Sequence, residues 1–158
     1  MKKRYTADCI LEYKNGSNNF VVLIERNNFP FGYAIAGGFR DLIKEYEHLQ
    51  GNEPIPPAFD TDQYLEPSYQ AAIREVSEEV NVDDTFIFDL LGFYDSVDRD
   101  PRGYTVSHVY VARTKQEPKA GSDAKNIVLV NKKEIHNFVE NNDFAFDHKE
   151  ILKDYIKK

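Results

Sequence analysis

Two runs of residues near the start of the chain favour β-strands. Residues 5–13 and 20–24 are rich in aromatic and β-branched side chains, and residues 15–18, with the sequence Asn-Gly-Ser-Asn, lie between them. Asn-Gly between two such runs is typical of a β-hairpin, although this connection is longer than the two-residue ideal. A short strand over residues 33–36 is then predicted to run into a pair of glycines.

A helix over residues 67–80 is the clearest α-helical prediction. Pro67 suits the first helical position, where its missing N–H costs nothing. Asn81 suits the left-handed residue that ends a helix, since Asn is the usual substitute for Gly there. The apolar positions recur at helical spacing: Ala71, Ala72, Ile73, Val76 and Val80.

The second half of the chain continues with strands and helices in alternation. Strands are predicted over residues 85–94, 104–112 and 127–130, and helices over 132–140 and 147–156. Asp147 with Glu150 resembles a capping box at the start of the last helix. Interleaved strands and helices with an early hairpin indicate an α/β fold, with a mixed sheet covered by helices on both faces.

Residues 42–64 interrupt this pattern. They contain Pro54, Pro56 and Pro57 and show little periodicity. We interpret them as a long loop, with a helical turn over residues 42–49. Loops of this length inside a small domain are unusual and are often functional.

Length and charge narrow the function classes. The 158 residues suit one compact domain. A net charge of −7 and a pI of about 5.1 argue against a nucleic-acid partner, which requires a basic surface. They are compatible with a phosphorylated small molecule, because bound cations would supply the positive charge.

The single cysteine and the hydropathy pattern bear on location. Because Cys9 is the single cysteine, no disulfide can form within the chain. This fits a reducing cytoplasm. The basic start resembles a signal peptide, but Asp8 and Glu12 interrupt any apolar region there. No run approaches the ~18 apolar residues of a membrane-spanning helix, so no membrane partner is expected.

Three carboxylates cluster on the predicted helix 67–80. Glu75, Glu78 and Glu79 are spaced three and four residues apart, so they share one region of the helix surface. Their mutual repulsion is relieved by a hard divalent cation, and oxygen ligands suit Mg²⁺ or, as the alternative, Mn²⁺. Arg74 adjoins the cluster. Taken alone, such a run is more often a solvated acidic face, and only its context favours a metal site.

That context is a longer pattern. Glu66, seven residues, and then Arg74-Glu75-Val76-Ser77-Glu78-Glu79-Val80-Asn81-Val82 resemble the Nudix box, G-x5-E-x7-R-E-apolar-x-E-E-x-G-apolar. Asn81 replaces the second glycine. The first glycine is absent at its usual distance before Glu66, and Gly37-Gly38 is the plausible equivalent. Relative to the pattern, 22 residues are inserted between Gly38 and Glu66.

The resemblance implies a Nudix-type α/β/α sandwich and a set of roles. Glu75, Glu78, Glu79 and the backbone carbonyl of Gly37 would be metal ligands, and Arg74, Glu78 and Glu79 would act in catalysis. The remaining residues of the box would brace or shape it: Glu66, Gly38 and Asn81, with Arg74 among the braces. A general base would come from a later loop, where Asp123 is our choice and Glu117 the reserve. The alternative for Asp123 is an ordinary turn residue.

Two further segments resemble the ADP-ribose pyrophosphatases of this family. The first is Arg99-Asp100-Pro101-Arg102-Gly103-Tyr104-Thr105-Val106-Ser107, and the second is Phe144-Ala145-Phe146-Asp147-His148-Lys149-Glu150-Ile151-Leu152. Arg99 and Arg102 would contact phosphate or ribose; the alternative is a tight turn with two solvated arginines. Phe39, Arg40 and Tyr94 are the other candidate substrate contacts. Phe39 and Tyr94 would stack on adenine, although each is more often a core residue.

The resemblance therefore predicts hydrolysis of ADP-ribose to AMP and ribose 5-phosphate. Another nucleotide diphosphate, such as a dinucleotide or a nucleotide sugar, is the nearest alternative substrate. A domain that senses ADP-ribose without cleaving it is the alternative from a different class. By analogy with related enzymes, the chain is expected to form a homodimer.

Overall fold

The computed structural model describes residues 3–45, 62–121 and 124–158. Its strands are β1 (Arg4–Asn15), β2 (Asn18–Arg26), β3 (Tyr33–Ala34), β4 (Ala36–Phe39), β5 (Phe86–Tyr94), β6 (Thr105–Thr114) and β7 (Ala124–Asn131). Its α-helices are α1 (Ser68–Val80), α2 (Ile135–Asn141) and α3 (His148–Lys157). The first turn of the predicted helix 132–140 is a 3₁₀ segment, Lys132–Glu134.

The described strands form one sheet around β1. Strand β1 pairs in parallel with β6 and antiparallel with β2 and β4, so the sheet is mixed, as predicted. The main order is β3-β2-β1-β6-β5, while β7 pairs with β2. Because β4 pairs with the first half of β1, Gly37 lies opposite Asp8 and Gly38 opposite Ala7.

Side-chain alternation divides the core between the two faces of the sheet. On β1, Cys9 and Leu11 pack with the apolar stripe of α1, whereas Ile10 packs on the opposite face with α2 and α3. Helices on both faces are therefore confirmed. Cys9 is fully buried, as expected of a small hydrophobic side chain. None of the helices in the described ranges is long and apolar enough to span a bilayer.

The hairpin is tighter than the sequence predicts. Asn15 pairs with Asn18, which leaves Gly16 and Ser17 as a two-residue turn. Gly16 has a φ of 63°, a conformation that glycine adopts without steric cost. The longer predicted loop is wrong because the strand continues through polar residues, whose backbone groups pair regardless of their side chains.

Helix ends follow the sequence in part. Pro67 is the N-cap residue of α1 rather than its first helical residue. Asn81 is left-handed, with φ 56° and ψ 38°, and its N–H donates to the carbonyl of Ser77, as predicted. The capping box at Asp147 is wrong, because its side chain makes no cap hydrogen bond to α3 and instead accepts from Arg99.

Both ends of the inserted segment are held together. The amide of Ile43 donates to the carbonyl of Tyr64 at 2.8 Å, and the amide of Glu66 donates to Asp41 at 2.8 Å. Residues 46–61, onto which the predicted helical turn over 42–49 extends, lie outside the described residues. The described ends therefore bring Glu66 beside Asp41, two residues after β4.

Candidate active site

A cavity of about 390 Å³ opens beside one flank of α1. Gly37 and Gly38 of β4, Glu75 and Glu79 of α1, and Asp8 of β1 line one side of it. Neighbouring loops and the first turn of α3 contribute further side chains, among them Phe29, Arg99, Arg102 and His148. The glycine pair, the carboxylate helix and the two segments that resemble ADP-ribose pyrophosphatases thus meet around one space.

The amphipathic sequence of α1 directs two of its carboxylates into this cavity. Val76 and Val80 are fully buried against the sheet. Glu75 and Glu79 lie one turn apart beside them, at the boundary between the core and the cavity. Glu79 is only 4% exposed, and its Oε1 accepts a hydrogen bond from the Gly37 amide at 3.0 Å.

Electrostatics make this pair of carboxylates a candidate cation site. Burial raises the pKa of Glu79 to about 9, with the Gly37 amide opposing the shift and the Glu75 charge adding to it. Burial also raises the pKa of Glu75, although Arg74 opposes it. Two carboxylates in one desolvated site do not ionise together readily. A divalent cation that prefers oxygen ligands would relieve this repulsion, so the two side chains fit such an ion.

The glycine pair is required by close approach rather than by an unusual backbone angle. A Cβ at Gly38 would lie 2.5 Å from Oε1 of Glu75. A Cβ at Gly37 would lie 2.7 Å from the carbonyl oxygen of Ala7 and would also overlap the carboxylate of Asp8. Strand β4 therefore passes between Asp8 and Glu75 with no room for a side chain, which brings its backbone to the cavity wall.

Arg74 connects the carboxylates of the box. Its guanidinium contacts Oε1 of Glu66 at 2.6 Å, Oε1 of Glu75 at 3.0 Å and Oε2 of Glu78 at 3.2 Å. It also donates to the carbonyl of Phe39 at 3.0 Å. Such a fork fixes the orientation of Glu75 relative to the end of β4.

Glu78 occupies a different position from the other two carboxylates. It is absent from the cavity lining, its side chain is 51% exposed, and its nearest cation is Arg74. In the described part of the chain, no three His, Cys, Asp or Glu side chains converge closely enough to hold a metal ion. The structure thus brings Glu75 and Glu79 together but leaves Glu78, a predicted ligand, on the guanidinium of Arg74.

Arg99 lines the cavity but is committed to the protein. Its side chain is 2% exposed. Nε and Nη2 donate to the two carboxylate oxygens of Asp147 at 3.0 and 2.8 Å, and Nη1 donates to Thr105 at 2.7 Å. This guanidinium forms a buried link between the loop before β6 and the start of α3, and its contact with phosphate or ribose stays a prediction.

Arg102 and Phe39 lie together at the cavity, as the sequence predicts for substrate contacts. Arg102 forms a two-pronged pair with Asp100 at 3.0 and 2.9 Å, and its side chain is 38% exposed. Arg4 lies over the Phe39 ring at 3.8 Å and Arg102 at 5.3 Å. Arg102 also lies 5.1 Å from the ring of Phe146. Both rings thus already have cationic neighbours.

Arg40 and Tyr94 are not brought to this cavity. Arg40 donates to the carbonyl of Glu66 at 2.9 and 2.7 Å and forms an ion pair with Asp62. The Tyr94 hydroxyl donates to Asp154 at 2.8 Å, and its ring packs against the core under α3. The core alternative for Tyr94 therefore describes its position, and Arg40 fastens the described ends of the insertion.

The loop after β6 packs on the C-terminal end of α1. The amide of Gly121 donates to the carbonyl of Glu79 at 2.7 Å, and that of Lys119 donates to Val80 at 2.8 Å. The Asn81 side chain donates to the carbonyls of Lys119 and Ala120 at 3.0 and 3.1 Å. The left-handed Asn81 thus also fastens this loop, a contact that glycine could not make. Asp123, the predicted base, lies outside the described residues.

Asp8, Phe29 and His148 are among the cavity residues that were not predicted as site residues. Asp8 is 5% exposed, and burial raises its pKa to about 6 against the opposing effects of Arg99 and Ser107. His148 is 3% exposed, and Phe29 is 59% exposed. An acid within the apolar run of β1 was the available indication for Asp8. His148 belongs to a segment whose resemblance was noted without a role for the histidine.

The chain is similar to known proteins over most of its length. The NUDIX domain family model matches residues 2–155. An ADP-ribose pyrophosphatase of Methanocaldococcus jannaschii is 34% identical over 143 residues, covering 89% of this chain and 68% of that protein.

Solved structures show the same fold. The NUDIX domain of Shewanella oneidensis NrtR, in complex with ADP-ribose, superimposes with a TM-score of 0.72 at 20% identity, covering 99% of this chain and 88% of that one. A bifunctional NMN adenylyltransferase/ADP-ribose pyrophosphatase from Francisella tularensis gives a TM-score of 0.70 at 24% identity, covering 98% of this chain and 41% of that one. The family match and the archaeal relative show that the chain belongs to the NUDIX family and is a Nudix pyrophosphohydrolase.

Proposed function

We propose that this chain hydrolyses ADP-ribose to AMP and ribose 5-phosphate with the help of a divalent cation, Mg²⁺ or alternatively Mn²⁺. The observation that carries the proposal is the buried pair Glu75 and Glu79 beside the glycines of β4. The archaeal relative, itself an ADP-ribose pyrophosphatase, supports the choice of substrate.

The side chains have two tasks: some would bind the cation, and others hold the cation ligands in position. Glu75, Glu79 and the backbone carbonyl of Gly37 would bind the cation. When bound, the cation polarises the diphosphate and lowers the pKa of a coordinated water. Arg74 keeps Glu75 aimed at the cavity, and Glu66 in turn fixes Arg74 through their contact at 2.6 Å. This division explains why the box needs an arginine and a remote glutamate.

A base is still required to take the proton of the attacking water. We assign it to Asp123, with Glu117 as the alternative. A carboxylate suits the task because its oxygen accepts the proton while the water oxygen forms its bond to phosphorus. Glu78, on Arg74, is in position to support Glu75 rather than to enter the cavity itself.

Arg102 and Phe29 are the proposed contacts to the rest of the substrate. Arg102 carries a partly exposed guanidinium at the cavity, where it would attract the diphosphate. Phe29 offers an aromatic ring that is 59% exposed, and its ring neighbour Phe31, at 6.4 Å, contacts it edge to face. A ring exposed to this extent is accessible to a purine.

Replacing Phe29 with Ala is expected to raise KM for ADP-ribose roughly tenfold with little change in kcat, because base–aromatic stacking contributes about 1–3 kcal/mol. Steady-state kinetics measure the effect. Tyr69→Ala is the matched control, since this ring is also largely exposed, at 48%, but lies outside the cavity lining. Equal KM values for the wild type and Phe29→Ala would remove Phe29 from the binding site.

A second copy of the chain is the proposed macromolecular partner. In the described sheet, β5 ends the strand order. It exposes Phe86, Phe88, Leu90 and Phe93 by 66, 39, 41 and 63%. An exposed apolar strand at a sheet edge favours association, and light scattering would measure the resulting mass.

The single cysteine fits the cytoplasm as the proposed location.

A substrate panel tests the choice of ADP-ribose. Wild-type protein with Mg²⁺ is incubated separately with ADP-ribose, a nucleotide sugar and a dinucleoside polyphosphate, and kcat/KM is measured for each. We expect ADP-ribose to be preferred at least tenfold. Preference for either of the others would redirect the proposal to that substrate class, and binding of ADP-ribose without cleavage would indicate a sensing domain.

A further inference from the structure

Two buried polar side chains on the cavity wall are not among the residues proposed to bind the cation. Asp8 and His148 both line the cavity, and they are only 5% and 3% exposed. They come from β1 and from the first residue of α3, at opposite ends of the chain. Burying a polar group costs free energy unless the group forms hydrogen bonds. The hydrogen-bond partners of each of these two side chains therefore matter.

His148 presents a single donor toward Asp8. Its Nδ1 accepts a hydrogen bond from the Ile35 amide at 3.1 Å, so Nδ1 carries no proton. Burial and the nearby charges of Arg99 and Arg26 hold the pKa of His148 well below its usual range. The ring is therefore neutral and its proton lies on Nε2, which is 3.8 Å from Oδ1 of Asp8.

Asp8 presents an acceptor to the same point. Its Oδ2 accepts from the hydroxyl of Ser107 and lies 3.9 Å from Nη2 of Arg99. Within the described ranges, no donor lies within hydrogen-bond distance of Oδ1. Nε2 of His148 lies 3.8 Å from Oδ1, a separation too long for a direct hydrogen bond.

A hydroxyl group fits this gap in both size and chemistry. Its oxygen can lie about 2.8 Å from both atoms, since hydrogen bonds of that length span the separation. There it would donate to Asp8 and accept from His148. A phosphate oxygen cannot donate and would be repelled by Asp8, while an ammonium group cannot accept. The pair therefore selects a group that both donates and accepts.

The position of the gap indicates which hydroxyl. Asp8 lies opposite Gly37 in the β1–β4 pairing, next to the backbone that flanks Glu79. We propose that Asp8 and His148 recognise a ribose hydroxyl on a sugar attached directly to the diphosphate. This inference rests on the proposed function, because it requires the diphosphate to lie beside Glu79. The hydroxyl can belong to the adenosine ribose or to the distal ribose.

The test compares substrates with and without those hydroxyls. Asp8→Asn and His148→Gln are assayed on ADP-ribose, on the methyl ester of ADP, which lacks the distal sugar, and on the 2′,3′-dideoxyadenosine analogue of ADP-ribose. We expect each variant to lose roughly tenfold to a hundredfold in kcat/KM on ADP-ribose. The loss should be several-fold smaller on the analogue that lacks the recognised hydroxyl, and this analogue identifies the sugar.

Glu12→Gln is the matched control. Glu12 is also a buried carboxylate on β1, 7% exposed, but it pairs with Lys132 and Tyr155 away from this cavity. It should retain wild-type kinetics on all three substrates. If Asp8→Asn does not fold, His148→Gln alone decides the question.

Equal losses on all three substrates would overturn the inference, since they would show that the pair supports the cation site or the fold. Wild-type inactivity on ADP-ribose is a different result, because it would refute the proposed function itself. The ratio of the losses in kcat/KM between substrates therefore tests the hydroxyl site, whereas the wild-type rate on ADP-ribose tests the proposed function.

Discussion

Replacing Glu79 with Gln is expected to lower kcat for ADP-ribose by roughly a hundredfold to a thousandfold while the protein stays folded. Gln keeps the size of the side chain and can still accept the hydrogen bond from Gly37, which is 3.0 Å long for the glutamate. Only the negative charge is lost. Because that charge is buried beside Glu75, its removal weakens the site for a cation without leaving a void.

Stability distinguishes this explanation from simple damage to the fold. The pKa of Glu79 is raised to about 9, so burial disfavours its charged form. In metal-free protein its contribution to stability is present below pH 4.5 and is lost as the pH rises toward 9. At neutral pH without metal, Glu79→Gln should therefore unfold at the same temperature as the wild type or higher.

Stabilisation by added Mg²⁺ should shrink in Glu79→Gln, because the ion stabilises only the state that binds it. Thermal unfolding with EDTA and with Mg²⁺ measures both effects, and Glu12→Gln serves as the buried-carboxylate control. Undiminished turnover by Glu79→Gln would contradict the assignment of the site.

Replacing Gly38 with Ala is expected to lower kcat by roughly a hundredfold with a much smaller effect on stability. The added Cβ would lie 2.5 Å from Oε1 of Glu75, so the end of that flexible side chain must move. A shift of about 1 Å in a catalytic group is enough for such a loss. Gly37→Ala should lose stability as well, since its Cβ would also meet the backbone of Ala7.

Gly92→Ala is the control for introducing a methyl group into a strand. Its Cβ would lie 3.7 Å from the Tyr94 ring, an ordinary contact, and Gly92 is remote from the cavity lining. Turnover and unfolding temperature are measured for all three variants. Full activity of Gly38→Ala would show that the position of Glu75 does not limit the reaction.

The fold could be predicted because its determinants are local in sequence. Runs of β-forming residues predicted β1 and β2, and the 3.6-residue stripe predicted α1 to within one residue. The errors lie where the backbone acts without a side-chain pattern. Asn15 and Asn18 are polar yet paired, so the strands extend further than the apolar runs indicate.

The carboxylate helix was predictable for the same reason, whereas the rest of the site depends on distant contacts. Glu75 and Glu79 share a flank through helical spacing alone. The sequence predicts either a ligand contact or a solvated turn residue for Arg99. Its partner Asp147 lies 48 residues away, so the neighbouring residues do not indicate the contact. The same carboxylate contacts Arg99 and makes no cap hydrogen bond to α3.

Asp8 shows the same limit more strongly. Its neighbours Ser107 and His148 are brought to it only by the pairing of β1 with β6 and the packing of α3. A lone acid in an apolar strand indicates that a partner must exist but does not identify it. Glu78 differs from both, because its side chain contacts Arg74 one turn away on the same helix. Arg74 also contacts Glu66 and Glu75.

The central claim is cation-dependent cleavage of ADP-ribose at the site formed by Glu75 and Glu79. The most direct measurement incubates wild-type protein with ADP-ribose in ¹⁸O-water, with and without Mg²⁺, and identifies the products by mass spectrometry. The account predicts AMP and ribose 5-phosphate, one of them carrying a single ¹⁸O, only when the ion is present. An unchanged substrate in the presence of Mg²⁺ or Mn²⁺, or equal cleavage in EDTA, would contradict it.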